Sequence, residues 1–320
     1  MELAEQIIEL AAAENDQSMR VDGLVLLGSD TAFAGDLAGG LAHLDEAIER
    51  FSTDGYKPRR LRLGNDPRVS CLTTSGFLLW LLGYPDRAVE RADRAVAIAG
   101  DLNHPYSLAF ALYHSGFVHL WRREPARVRD RAVELLGVIE TNDFPIWRAL
   151  GTALLGAART AMGEREDGLA QIADGLDQYR GLRTPPVFWP LVRYMQAAAH
   201  VDARKPDAGL PLIREALELA GEDEVLAPLF HIVHGDLLLL ASDADLAEAA
   251  YERARDNAVR FGARLPHLRA ATRLAGLEAE PATRDARLAV VRELVAAFHE
   301  GLDTADLIDA RALIEAAAAH

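Results

Sequence analysis

The feature that most constrains this chain is a recurrent spacing of small residues. Gly28 is followed twelve positions later by Gly40, Gly76 by Ala88, Gly156 by Gly168, Ala197 by Gly209, and Gly235 by Ala247. Gly116 and Val128 fit the same spacing with a slightly larger second member. Seven residues further on stands another small residue, Ala47, Ala95, Gly175, Ala216 or Ala254; in the Gly116 unit that slot is Leu135. The first members lie 48, 40, 40, 41 and 38 residues apart. Two antiparallel helices joined by a tight turn nest closely only where their crossing lacks side-chain bulk. The third small residue is expected to admit the first helix of the next unit. Six units in near-constant register specify a repeat.

An offset of twelve plus seven is the tetratricopeptide-type pattern. The standard unit is about 34 residues, so the helices here are longer and the repeats irregular. The expected fold is all-α, a right-handed superhelical array of about seven antiparallel helix pairs, a tetratricopeptide-like solenoid stabilised by nearest-neighbour contacts. Helical periodicity runs almost end to end and reads as roughly sixteen helices. Alanine, leucine, arginine, glutamate and aspartate dominate, a composition that favours helix. No sustained period-two alternation and no Asn-Gly hairpin turn appears. Helix starts carry proline behind a capping residue, as in "NDPRV", "NHPYS", "DFPIW", "TPPVF" and "LPHL". Asp303, with Asp306 three residues on, reads as a further cap.

Residues 1–16 read as a half-unit, an amphipathic helix with apolar Leu3, Ile7, Ile8 and Leu10 whose partner helix is missing. Residues 17–264 hold about six helix pairs with one long loop at 52–66. Residues 265–320 lose the small-residue register and read as capping helices. The uncovered flank of the 2–14 helix makes self-association through that end an expectation.

Net charge is −15, which argues against a nucleic-acid surface. Cys71 is the one cysteine, so no intrachain disulfide or multi-cysteine metal site is available. The N-terminus is acidic where a secretory signal would be basic, and no run of about 18 apolar residues spans a membrane. A cytoplasmic location follows as an expectation. No G-x-x-x-x-G-K-[ST] phosphate loop and no G-x-S-x-G nucleophile motif is present.

The stretch "LWLLGYPDRAVERADRAVAIAGDLNHPYSLAFAL", together with "GNDPRVSCL", "HIVHGDLLLL", "LRAATRLAGL" and "FHEGLDTADLIDARALI", carries a family likeness. It resembles the tetratricopeptide-like C-terminal region of bacterial multidomain signalling proteins. In these a class III adenylate/guanylate cyclase domain, or another N-terminal module, precedes an AAA-type ATPase and then helical repeats. The resemblance covers nearly the whole chain. It implies a non-catalytic sensor or scaffold region, with any ATPase or cyclase chemistry in domains absent from this chain. The implied partners are a protein or peptide segment, or the upstream ATPase domain of the same polypeptide. No cofactor is implied.

In such an array the first helices line the concave face. The facing positions lie six and three before the small residue and one and four after it. They are Ser70, Thr73, Phe77 and Trp80 in one unit, Phe110, Tyr113, Phe117 and Leu120 in the next, and Leu191, Tyr194, Ala198 and Val201 further on. Phe77, Trp80, Phe110, Tyr113, Phe117 and Tyr194 are therefore candidates for a partner-binding groove, since exposed aromatics anchor interfaces. The competing reading is that they pack against neighbouring helices. The basic run Lys57, Arg59, Arg60 and Arg62 is a candidate contact for an anionic partner, or a solvated loop. His114 and His119 are five apart and point to different faces, as do Tyr113 and His114. His231 and His234 share a face but need a third ligand to hold a metal. His104 reads as a cap and Cys71 as a small buried hydrophobe. No catalytic residue is assigned. The leading function is protein-interaction or regulatory scaffolding; the alternative is sensing of a small molecule in a closed pocket.

Overall fold

The computed structural model describes residues 1–52, 64–182, 188–221 and 224–318. Sixteen helices and no strand occur among them. The array is all-α, built from antiparallel helix pairs wound into a superhelical solenoid, as the spacing of small residues requires.

A lone helix, α1 (Glu2–Glu14), comes first. Six pairs follow: α2 (Gln17–Phe33) with α3 (Leu37–Phe51), α4 (Pro67–Leu81) with α5 (Pro85–Asp101), and α6 (Pro105–Trp121) with α7 (Pro125–Glu140). Then come α8 (Pro145–Ala161) with α9 (Arg165–Gly181), α10 (Trp189–Asp202) with α11 (Pro206–Ala220), and α12 (Ala227–Leu240) with α13 (Ala244–Arg260). The chain closes with α14 (Arg264–Ala275), α15 (Pro281–Ala296) and α16 (Ala305–Ala318).

The small-residue pairs stand at the helix crossings. A Cβ on Gly156 would lie 2.6 Å from the Gly168 carbonyl oxygen, and one on Gly40 would lie 2.6 Å from that of Gly28. The third small residue does not act uniformly. Gly175 of α9 fits against Ala149 and Ala153 of α8, its own partner, whereas Leu135 of α7 meets Gly151 in the next unit. The expectation that this slot always serves the next unit is thus corrected, because the second helix lies in the notch between two first helices and touches both.

Each pair turns in the same way. Seven residues after the small residue stands a left-handed residue: Gly35, Gly83, Arg123, Gly163, Arg204 or Ser242. In every case its N–H and the next residue's N–H bond back into the last turn of the first helix. Glu124 N–H donates to the His119 carbonyl at 3.0 Å, and Asp243 N–H to that of Leu238 at 3.0 Å. This is the Schellman arrangement, which satisfies carbonyls that a helix end otherwise strands.

Several helix starts follow the proline device. Pro67, Pro105 and Pro145 open their helices, and Asp66 caps α4 by accepting from Arg68 N–H at 2.9 Å. His104 caps α6 by accepting from Ser107 N–H at 3.3 Å. Two expectations need correction. Pro266 sits inside the first turn of α14, and Asp303 falls ahead of α16, which begins at Ala305. Asp306 does not cap; it bonds Arg269. The prolines of "TPPVF" lie outside the described residues.

First helices pack directly on one another, α2 on α4, α4 on α6, and so on to α14 and α16, so they form the inner wall. The winding is tight enough that α14 returns to α4. Glu300 accepts from the Asp86 and Arg87 N–H groups at 2.9 and 3.1 Å, and Asp86 accepts from Gly301 N–H at 2.7 Å. On α1, Ala4 and Ala11 are buried while Leu3 and Leu10 are exposed.

Candidate functional site

The tight winding decides the fate of the aromatic candidates. Trp80, Tyr113 and Phe117 have no solvent exposure, and Thr73 is buried with them. Their expected position on an open groove is therefore corrected. Phe77 and Phe110 are half-buried. Successive inner helices approach so closely that the rings meet each other: Phe77 lies 4.6 Å from Trp121, Trp80 5.2 Å from Trp121, and Tyr113 5.7 Å from Trp147. Tyr113 and His114 do not diverge; both join this cluster, with ring centroids 5.4 Å apart. The His114 ring stacks on Phe110 at 3.9 Å, and burial pushes its pKa down to about 4. Trp80 is covered from the far end of the chain by the Arg269 guanidinium, 5.3 Å from the ring.

One space that stays open among the described residues is a cavity of about 320 Å³. Its apolar lining includes Leu120 of α6, Ala198 and Val201 of α10, and Leu229, Ile232 and Val233 of α12. Tyr194 lines it too, its ring 5.3 Å from Phe230 and its hydroxyl pushed up to about 12 by burial. So the groove register does reach an open space, at Leu120, Tyr194, Ala198 and Val201, one turn away from the aromatic cluster.

Six charged residues also line this cavity: Arg123, Glu124, Asp202, Asp236, Arg269 and Arg273. Arg269 donates to Asp306 at 2.9 and 2.6 Å and to the Trp121 carbonyl at 2.7 Å. Burial disfavours both charges of this pair, and their mutual attraction outweighs it: Asp306 is held below its ordinary value and Arg269 above. Arg273 donates to Asp236 at 2.7 Å, and the Tyr251 hydroxyl donates to the same carboxylate at 2.7 Å. Arg123 reaches Asp309 at 2.6 Å from a left-handed backbone, φ 63°. Glu124 accepts from Arg122 at 2.8 Å and sits 2.6 Å from His119 Nδ1; those partners hold it low against the effect of burial.

Asp236 stands one residue after Gly235, a position that the groove register itself marks as inward. Extending the register to that unit would have found it. Arg269, Arg273 and Asp306 belong to the helices outside the repeat, so the groove register did not point to them, and the spacing of Asp306 from Asp303 suggested a cap instead.

The other candidates are placed as follows. Lys57, Arg59, Arg60 and Arg62 lie outside the described residues. The Cys71 thiol is buried, donates to the Leu44 carbonyl at 3.3 Å, and is pushed up by burial. Burial lowers His231 to about 4 and also lowers His234. No group of three or more potential metal ligands occurs among the described residues. No described helix is long and apolar enough to cross a membrane.

No family model matches the sequence, and no curated protein matches it. Solved structures do resemble it. NprR in complex with its cognate peptide NprX is 11% identical with a TM-score of 0.59, over 100% of this chain and 94% of that one. A Rap protein complexed with competence and sporulation factor is 12% identical with a TM-score of 0.57, over 94% and 95%. The Rap conjugation gene regulator of plasmid pLS20, in complex with the Phr* peptide, is 13% identical with a TM-score of 0.53, over 92% and 93%. At these identities the likeness is one of fold.

Proposed function

We propose that this chain is a non-catalytic regulatory helical-repeat domain that holds a short peptide segment inside its superhelix. The observation that carries the reading is the cavity of about 320 Å³, walled by Leu120, Tyr194, Ala198 and Val201 and bordered by Arg269 and Arg273 of α14. It combines an apolar wall with a few fixed polar groups, the usual make-up of a ligand site. The three structural neighbours above were each solved with a peptide or factor bound, which supports a peptide occupant. In the setting that the resemblance implies, occupancy would be communicated to an upstream ATPase or cyclase. Self-association through the exposed Leu3 and Leu10 of α1 belongs to the same proposal, and sedimentation at two concentrations tests it.

A second reading, a small-molecule sensor, is favoured by one observation. The cavity volume is near the lower end of small-ligand pockets, about 300–1,000 Å³. Screening an immobilised library of random hexapeptides separates the two. The expected result is a set of binders whose affinity is lost in Val201→Trp, a change that fills the cavity while leaving the circular dichroism unchanged. A library without binders, or binders indifferent to Val201→Trp, would overturn the peptide reading. A small molecule retained in native mass spectra would then favour the second.

A further inference from the structure

The face of α12 turned away from the cavity carries a different chemistry. At about 3.6 residues per turn, the cavity-lining Leu229, Ile232, Val233 and Asp236 share one side of the helix, and His231 and His234 share the opposite one. The second helices α11 and α13 both pack on α12 but not on each other. His231 and His234 therefore form the floor of an outward cleft, with α11 and α13 as its walls. His231 is only 8% exposed, and His234 is half-buried. Nδ1 of His231 and Nε2 of His234 are sealed from solvent and meet no hydrogen-bond partner among the described residues. A sealed N–H without an acceptor is costlier than a sealed lone pair. The proton of each neutral ring therefore sits on the other nitrogen, Nε2 of His231 and Nδ1 of His234. These two N–H groups are the ones left to the cleft.

The walls add two guanidiniums. Arg214 of α11 and Arg253 of α13 are exposed, and neither has a hydrogen bond or ion pair among the described residues. Burial comes first in holding the two rings neutral, and the charges that act on them besides are all positive: His234 and Arg253 on His231, Arg214 and Arg253 on His234. Along the walls themselves, Asp256 is bonded to Arg255, and Glu218 does not pair with Arg214. In a chain of net charge −15 this is a local group of donors without an acceptor. We propose that the cleft binds a phosphate monoester group, whose oxygens accept from the two ring N–H groups on the floor and whose charge is shared by Arg214 and Arg253. A carboxylate would bring a single charge and fewer oxygens. A phosphate monoester brings close to two charges and three strong acceptor oxygens, which suits two fixed cations and two ring donors better. The cleft lies behind the cavity and is independent of what the cavity holds.

The test uses the full chain with ¹⁵N-labelled histidine, observed by long-range proton–nitrogen spectra at one fixed pH. Before any ligand is added, the spectra should show the proton on Nε2 of His231 and on Nδ1 of His234. Inorganic phosphate and O-phosphoserine are expected to shift both nitrogens saturably and to leave His114, inside the aromatic cluster, unmoved. Sodium chloride and sodium acetate at equal ionic strength are expected to move none of them. Arg214→Gln and Arg253→Gln should each weaken phosphate binding roughly tenfold, the ordinary scale for a charge-assisted hydrogen bond. Unchanged melting of these two variants controls for folding. Tighter binding of inorganic phosphate identifies the free ion as the source, and tighter binding of O-phosphoserine a phosphorylated side chain. Opposite tautomers, acetate or chloride that moves the rings as phosphate does, or phosphate that moves neither ring would each overturn the proposal. So would Arg→Gln variants that both keep the affinity within about twofold.

Discussion

Trp80 and Tyr113 show how far one residue's role depends on its surroundings. The repeat register marks both as inward-facing, and both do face inward. Inward is not open, however, because the rings of neighbouring inner helices fill the space between them. Trp80→Ala should therefore behave as a core truncation, costing about 3–5 kcal/mol in urea unfolding. Tyr113→Phe should cost almost nothing or stabilise slightly. Its hydroxyl is buried without a hydrogen-bond partner among the described residues, and removing such a group relieves a desolvation penalty. If Trp80→Ala melts like the unmodified chain, the side chain is not the core residue that its burial indicates.

At the scale of the element, the helix pair is defined by three sites: a small residue, a left-handed turn seven residues on, and a second small residue five beyond that. Glycine supplies the turn in three of the six pairs, and Arg123, Arg204 and Ser242 supply it in the others. A side chain with Cβ in the left-handed region costs about 1–2 kcal/mol. Ser242 is exposed, so Ser242→Gly should raise unfolding stability by about 1 kcal/mol, read as a higher urea midpoint with an unchanged slope. No gain would mean that this turn is set by something other than backbone conformation. Arg123 is not an equivalent site, because its side chain also bonds Asp309. This much of the fold was legible in the sequence. Small residues, helix-starting prolines and turn glycines act on neighbours close along the chain, so their spacing carries their meaning. Where a helix terminus answers to a distant partner, spacing misleads: Asp306 looks like part of a cap and is half of an ion pair with Arg269.

At the scale of the molecule, the superhelix returns on itself, and that return makes the cavity. Arg269 and Asp306 form the buried link, and Arg269 also donates to the Trp121 carbonyl, 148 residues earlier. Asp306→Ala should leave the guanidinium buried and unpaired, at a cost of about 3–5 kcal/mol. The double change Arg269→Met with Asp306→Leu should recover much of that stability. Small-angle scattering should show a larger radius of gyration for Asp306→Ala; an unchanged radius with unchanged stability would mean that this pair does not close the ring. The closure also has a pH sign. Asp306 is held below its ordinary value of 3.8, so its contribution is fully present above that value and is lost as pH falls through the lowered one. The sequence by itself determined the helix pairs, their turns and the inward register, because each is set by contacts within one unit or between neighbours. The tertiary structure alone decided how tightly the units wind. Winding sums small rotations at every interface, and no single spacing encodes that sum. From it follow the burial of the aromatic cluster, the return of the C-terminal helices, and a cavity whose wall carries three guanidiniums already bound to carboxylates.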